Sequence, residues 1–504
     1  MISTKKSLIV LAPALAYLLF IAALSRGFFM DDAFIGFRYV QNLIAGNGLV
    51  FNPGERVEGI TNLGWLLVLT PFSYLLEITI AAKILGLVCA AAAVVLAYLV
   101  ALRVNRGKSF WLLVAPVPML IAVQFDFAYF SLSGMETGLL AALLAAAAYL
   151  VAIDRGPYLL GFILAFAFLV HPETVLVFPL FLAFISAAEP RELRQYYRAA
   201  GVFLACIGAF TLGRYLYFHD LLPHTFYAKP SPLKSMVKEL QLAAKGWDTN
   251  FSPPYSGLLA LAFMMLGGVS LYQKSRRPAL FMAAATVTAA VFAVYAPEDW
   301  TYMGRYFAPC VPLAAILFWR GLVDAHEALL QGMTARGRIR ALLLGYFLII
   351  LCVGFSDAFL HLRDASTDRY PGYVLTSRGL KAPARWIRDN VPDSAVIASR
   401  RIGALGYYSE KKIFDWKFGL VDREIAALRQ SSGAEFNYPT HPALQEVWPR
   451  RAPAYVLEDS HVIKAIINEN KGSEERFEIH GIPYRVLKKF KIGADVDWVL
   501  CERI

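Results

Sequence analysis

At roughly 100–200 residues per domain, 504 residues would allow about three soluble domains, but the composition excludes that. Hydrophobic residues make up 58% and charged residues 17%, against a usual ~45–50% and ~25%, and mean hydropathy is +0.50. Intrinsic disorder, a collagen repeat and a disulfide-rich secreted scaffold are excluded, and the chain reads as an integral membrane protein. The net charge of +11 falls mostly in short loops between apolar runs. Membrane topology accounts for it, so a lipid bilayer is an implied partner and nucleic acid is not. The cysteines Cys89, Cys206, Cys310, Cys352 and Cys501 have neither metal-ligand nor disulfide spacing and read as small buried hydrophobes.

The first apolar run, residues 7–25, follows Lys5 and Lys6 and ends at Ser25-Arg26-Gly27. It exceeds the ~7–15-residue core of a signal peptide, which predicts an uncleaved span running from the cytoplasm outward. Residues 63–76 are short for a bilayer and predict an interfacial helix. The second span is expected at 79–102. Others follow near 110–126, 135–153, 157–170, 174–188, 200–218, 256–273, 279–296, 305–322 and 341–360. The expected architecture is mainly α, a polytopic membrane protein of about 11 transmembrane helices. Alternate loops carry Arg103, Arg106 and Lys108; Arg155; Arg191, Arg194 and Arg198; Lys274, Arg276 and Arg277; and Arg336, Arg338 and Arg340. The positive-inside rule puts these in the cytoplasm, with the N-terminus. Residues 26–62, residues 219–255 and everything after 361 then lie outside.

The first outer loop opens Phe29-Met30-Asp31-Asp32-Ala33-Phe34. Paired carboxylates flanked by aromatics at a membrane boundary are costly and point to function. A helix N-cap is the plainer alternative, and one aspartate can cap while the other works. A carboxylate near apolar surface has a raised pKa, which suits a general base acting on a hydroxyl. Arg38 follows on the same helix. Glu58, Thr61 and Asn62 sit in a turn-rich stretch and have the polar groups that bind sugar hydroxyls. In the second outer segment His224, Tyr227 and Lys229 are followed by Lys234, Lys238 and Lys245, outer cations suited to a phosphate. Residues 297–306 hold Asp299, Trp300 and Arg305, readable as an anion site or as an internal ion pair in an aromatic belt. His171-Pro172-Glu173 and Glu136 place further carboxylates at outer span ends. P-loop, HExxH, Gly-x-Ser-x-Gly and Cys-x-x-Cys motifs are absent, and the sequence does not imply a divalent metal. With the polar groups facing outward, a sugar would most simply arrive on a lipid phosphate.

Asp31-Asp32-Ala-Phe-Ile-Gly-Phe-Arg38-Tyr, Gly48-Leu-Val-Phe-Asn52-Pro-Gly-Glu55-Arg-Val-Glu58-Gly and Leu221-Leu-Pro-His-Thr-Phe-Tyr227-Ala-Lys229 resemble the terminal arabinofuranosyltransferases of mycobacterial arabinan and their Gram-negative, pilin-glycosylating relatives. The order of span, Asp-Asp, amphipathic helix, Gly-rich turn and interfacial segment resembles the wider GT-C superfamily of polyprenyl-phosphate-sugar-dependent glycosyltransferases. The resemblance covers about residues 8–320. It implies a polyprenyl-phosphate-linked sugar donor and a glycan or protein acceptor. It further implies Asp31 or Asp32 as base, and His224, Tyr227, Lys229 and Arg305 as donor-phosphate ligands. Arg38, Glu58, Thr61, Asn62, Glu173 and Asp299 are the expected sugar or acceptor contacts. Departures from the family pattern lie at His224, at His171–Thr174 and at Pro297–Trp300.

The expected domains are a transmembrane GT-C-like catalytic part, 1–360, and a small extracytoplasmic α/β domain, 361–504. In the tail, a helix is expected at 381–390, strands at 395–399, 412–415 and 454–457, and a short helix at 443–448 stopped by Pro449. Gly406-Tyr407-Tyr408 and Asp415-Trp416 are candidates to line an acceptor groove. The leading expectation is transfer of a sugar, arabinofuranose by resemblance, to an acceptor hydroxyl outside a bacterial cytoplasmic membrane. A transporter or flippase of lipid-linked sugars and a non-catalytic assembly protein are the alternatives.

Overall fold

The computed structural model describes residues 4–105, 113–228, 256–295, 304–330, 334, 337, 339–346, 371–433, 436–469, 471–491 and 497–504. The chain forms two compact units. One comprises Met1–Arg26, Ile80–Ala209 and Pro232–Ser366, and the other Gly27–Thr79, Phe210–Ser231 and Thr367–Ile504.

The first unit is helical. Four described helical segments are long and apolar enough to cross a membrane: Lys5–Leu24, Ile78–Val104, Pro190–Phe218 and Arg305–Leu329. Helix α1, Thr4–Leu24, has 21 residues, about 31 Å at 1.5 Å per residue. It leaves Leu8, Ile9, Leu19 and Phe20 more than half exposed, a surface suited to lipid and not to water. With the further apolar helices Thr137–Ile153, Pro157–Val170, Ser256–Lys274 and Arg276–Tyr295, this is a multi-pass membrane protein.

Its helices pack on small residues. A Cβ on Gly267 would lie 1.9 Å from the Leu317 carbonyl oxygen, and one on Gly321 would lie 1.8 Å from that of Phe263. The helices Ser256–Lys274 and Val311–Leu329 therefore touch backbone to backbone, the usual device where lipid removes the hydrophobic drive between helices.

The expected span at 110–126 is not a continuous helix. It breaks into Val117–Ala122 and Phe125–Ser131 around an extended Gln124, and Pro116 and Pro118 remove backbone donors at the start of the first piece. Most of the expected span at 341–360 lies outside the described residues.

In the second unit, α2 (Asp31–Ile44) and α3 (Leu63–Ser73) follow the first helix. Asp31 and Asp32 in the first turn of α2 suit the positive end of the helix dipole. At 11 residues α3 is too short to cross a bilayer. The tail begins with the helix Pro371–Asn390 and builds a six-stranded mixed sheet in the order β2-β1-β3-β6-β5-β4. The strands are β1 Val396–Ala398, β2 Lys412–Phe414, β3 Tyr455–Asp459, β4 Phe477–Ile479, β5 Ile482–Lys491 and β6 Asp497–Arg503. β1 is parallel to β2 and to β3, and the remaining pairs are antiparallel.

The expected strands at 395–399, 412–415 and 454–457 match β1, β2 and β3. Pro449 does not stop a helix. It lies in the first turn of Val447–Arg451, where its missing N–H costs nothing.

Candidate functional site

The aspartate pair sits where the first loop meets the tail. Met30, which precedes α2, has extended backbone, and neither aspartate is the N-cap residue of its own helix. Asp31 is buried, with 6% of its surface exposed. Its Oδ2 accepts the Gly403 N–H at 3.2 Å and its Oδ1 accepts the Ala404 N–H at 2.9 Å. Asp31 thus caps another helix, Gly403–Ser409, whose preceding residue Ile402 has no side-chain acceptor to offer. A Cβ at position 403 would lie 2.0 Å from the Asp31 carbonyl oxygen, so only glycine permits this approach. Burial raises the Asp31 pKa, opposed by the Ala404 N–H and the charge of Arg401. Asp32 is half-buried.

Arg38 and Asn52 bind the first loop to the tail. The Arg38 guanidinium donates to the carbonyls of Phe51 (3.3 Å) and Glu410 (2.8 Å) and to Gln41 Oε1 (2.9 Å). Asn52 gives and takes one hydrogen bond with the backbone of Ile413, at 2.9 and 3.0 Å, on edge strand β2. Tyr39 Oη donates to the Val57 carbonyl and accepts from the Gly59 N–H, both at 2.7 Å. Phe34 packs on Tyr407 and Tyr408 with ring centroids 5.5 and 5.2 Å apart.

The tail residues expected to line a groove divide. Tyr407 and Tyr408 are half-buried against α2. Asp415 and Trp416 are in the interior and line no groove. Asp415 accepts the N–H groups of Phe418 and Leu420, and Trp416 Nε1 donates to Glu458 at 2.9 Å.

Glu58 and His224 come together. The His224 N–H donates to the Glu58 carbonyl at 3.0 Å. Glu58 is 1% exposed and pairs with Arg214, Nε to Oε2 2.7 Å, while its Oε1 has no hydrogen-bond partner. Burial raises its pKa from 4.5 to about 7, with Arg214 opposing. Neither His224 ring nitrogen makes a hydrogen bond of good geometry, although the backbone of Asp422 and Gly419 lies close. Burial, then the charge of Arg423, lowers the His224 pKa, so the ring is neutral at pH 7. Arg423 itself pairs with Asp220 at 2.7 Å. Tyr227 is half-buried, its ring centroid 6.2 Å from that of His224. Thr61 is half-buried. Asn62 is buried, and its carbonyl accepts the N–H groups that open α3. Glu58 Oε1 and the His224 ring, buried and without hydrogen bonds of good geometry, are suited to a polar ligand.

A second cluster lies wholly in the helical unit. His171 ends the helix Pro157–Val170, its Nδ1 against the Glu173 carboxylate and its Nε2 3.7 Å from Glu136 Oε1. The rings of Phe292 and Tyr306 flank it at 6.1 and 6.3 Å. Arg305, Tyr306 and Thr137 complete a small cleft around these groups. Glu136 and the His171-Pro172-Glu173 stretch stand out in the sequence as outer span ends, but of these only Glu173 is among the expected sugar or acceptor contacts. Lys229 and Asp299 lie outside the described residues. Among the described residues no group of three or more His, Cys, Asp or Glu side chains is placed to hold a metal ion.

A family described as a domain of unknown function, DUF8728, matches residues 373–500. The chain is 30% identical over 278 residues to a terminal beta-(1->2)-arabinofuranosyltransferase of Mycobacterium tuberculosis, covering 50% of this chain and 42% of that one. It is 27% identical over 292 residues to the enzyme of the same name from Corynebacterium glutamicum, covering 49% and 41%. The chain thus spans about two-fifths of the length of these curated relatives. In structure it resembles ArnT from Cupriavidus metallidurans bound to undecaprenyl phosphate, with a TM-score of 0.57 at 12% identity, covering 99% of this chain and 98% of that one. It also resembles the oligosaccharyltransferase AglB of Archaeoglobus fulgidus in complex with an inhibitory peptide and a dolichol-phosphate, with a TM-score of 0.57 at 13% identity, covering 93% and 71%. The sequence likeness to terminal arabinofuranosyltransferases is therefore joined by a likeness in fold to ArnT and AglB.

Proposed function

We propose that this chain is a membrane glycosyltransferase that moves a sugar from a polyprenyl phosphate to an acceptor hydroxyl on a cell-envelope glycan or protein. The observation that carries the reading is the agreement of two independent likenesses. Sequence points to enzymes named for arabinofuranosyl transfer, and fold points to proteins that include an oligosaccharyltransferase and are named with bound polyprenyl phosphates. Arabinofuranose is the sugar this favours. The site would face outward from a bacterial inner membrane, with the N-terminus cytoplasmic.

Within that reading the two aspartates divide their work. Asp31 has both oxygens engaged by backbone N–H groups, so it positions the loop. Asp32 is the group assigned to take the acceptor proton as the acceptor oxygen attacks the anomeric carbon and the bond to phosphate breaks. His224, Tyr227 and Lys229, and separately Arg305, are assigned to the departing phosphate, whose charge grows in the transition state. Glu58, Thr61, Asn62, Glu173 and Asp299 remain candidates for hydroxyl contacts. Arg38, with its guanidinium on two backbone carbonyls, is assigned to holding the loop in place.

The test uses purified protein with polyprenyl-phosphoryl arabinofuranose and a crude envelope acceptor, following release of polyprenyl phosphate by mass spectrometry. Asp32→Asn should lower release by ~10²-fold or more while leaving the fold intact. Undiminished release would remove Asp32 from the mechanism. Wild-type uptake of the lipid with no release or glycosylated product would favour transport over transfer.

A further inference from the structure

A cleft of about 460 Å³ in the helical unit has no part in the proposed reaction. It lies between the end of the helix Thr137–Ile153 and the turn Pro190–Tyr196, among loops whose basic residues the sequence assigns to the inner side. Three guanidinium groups line it, those of Arg155, Arg194 and Arg198, over an apolar floor that includes Leu150 and Leu160. All three arginines are exposed.

The acids nearby, including Asp154 on the cleft lining, pair with a guanidinium other than those of the lining. Arg277 takes Asp154 at 2.8 Å and Glu192 at 2.5 Å. Among the described residues, no ion pair engages the side chains of Arg155 or Arg194. Arg198 stands over the Tyr158 ring at 5.9 Å. The lining therefore sets three guanidinium groups against one carboxylate, and their planar forks match phosphate oxygens. Beside the cleft Tyr158, Leu159 and Phe162, each more than half exposed, run up the adjoining helix. They form a path for a hydrocarbon chain, which a soluble phosphate would leave unused.

We infer that this cleft binds the phosphate headgroup of an anionic lipid, its acyl chain lying along Tyr158, Leu159 and Phe162. The positive-inside rule alone asks only for charge in these loops. It does not ask for a concave site with its acids paired off elsewhere.

Native mass spectrometry of the full chain in detergent, titrated with phosphatidylglycerol or phosphatidylcholine, tests this. Wild type should retain phosphatidylglycerol in preference to phosphatidylcholine. The Arg194→Ala/Arg198→Ala double variant, which leaves the Arg277 pairs in place, should bind it roughly tenfold or more weakly. Arg155→Ala should weaken it on its own. Arg191→Ala removes a charge from the same loop outside the cleft and should change nothing. Unchanged retention by the double variant, or an equal loss with Arg191→Ala, would overturn the site. Displacement of the lipid by millimolar inorganic phosphate would overturn the lipid as its occupant.

Discussion

Asp31 and Ala404, 373 positions apart, are joined by a 2.9 Å hydrogen bond from the Ala404 N–H to Asp31 Oδ1. This carboxylate supplies the end of the Gly403–Ser409 helix with a cap that the helix's own flank lacks. Removing it leaves buried donors unpaired, at about 1–3 kcal/mol. Asp31→Ala should lower the thermal midpoint of the purified protein measurably, and Gly403→Ala should do the same by forcing a Cβ into the Asp31 backbone. Asp32→Asn should leave the midpoint nearly unchanged. Equal midpoints for wild type and Asp31→Ala would show that the cap carries no stability.

The Asn52 amide offers a second handle on the same junction. Its paired hydrogen bonds to Ile413 close an edge strand that would otherwise present free backbone groups. Asn52→Ala should cost about 1–3 kcal/mol and speed limited proteolysis around the edge strand Lys412–Phe414. Unaltered cleavage would mean that Asn52 does not hold the tail.

Glu58 gives the unit a pH dependence of definite sign. Its carboxyl is raised from 4.5 to about 7, first by burial. The folded state therefore binds a proton that the unfolded state has released between these values. The stability this lends is fully present below pH 4.5 and is lost as pH rises through about 7. Melting curves from pH 5 to 8 should fall more steeply for wild type than for Glu58→Gln, which keeps an acceptor for Arg214. Parallel curves would show that Glu58 does not carry the slope.

Gly321 governs a different contact. Its missing Cβ lets the helices Ser256–Lys274 and Val311–Leu329 meet at backbone distance. Gly321→Leu should separate them and reduce the yield of monodisperse protein in detergent, whereas Gly201→Ala, with open space at its Cβ, should be tolerated. Equal yields from the two variants would remove the close approach from the account.

The sequence made most of the described apolar helices, α2, the short α3 and the first three tail strands legible, because apolar run length and turn residues are local signals. β4, β5 and β6 were not read. Lys488, Lys489 and Lys491 crowd the alternation of β5, and the buried run Trp498–Cys501 of β6 has no period to distinguish a strand from a helix. Pro449 misled because its place in the first helical turn depends on where the helix begins. The first-loop motifs were legible as important residues but not as structural or chemical ones. Arg38 and Asn52 meet backbone groups more than 360 positions away, and no local pattern announces such partners.

The junction of loop and tail also fixes an order of manufacture. Asp31, Arg38 and Asn52 leave the ribosome long before Gly403, Glu410 and Ile413, so the loop waits through the insertion of every intervening helix for the backbone groups that satisfy it. Until then a carboxylate and a guanidinium meant for burial must stay hydrated. Within the reading proposed above, activity cannot precede the tail. A chain interrupted before residue 400 would hold the aspartates and the membrane helices, yet lack the means to set Asp32 in place.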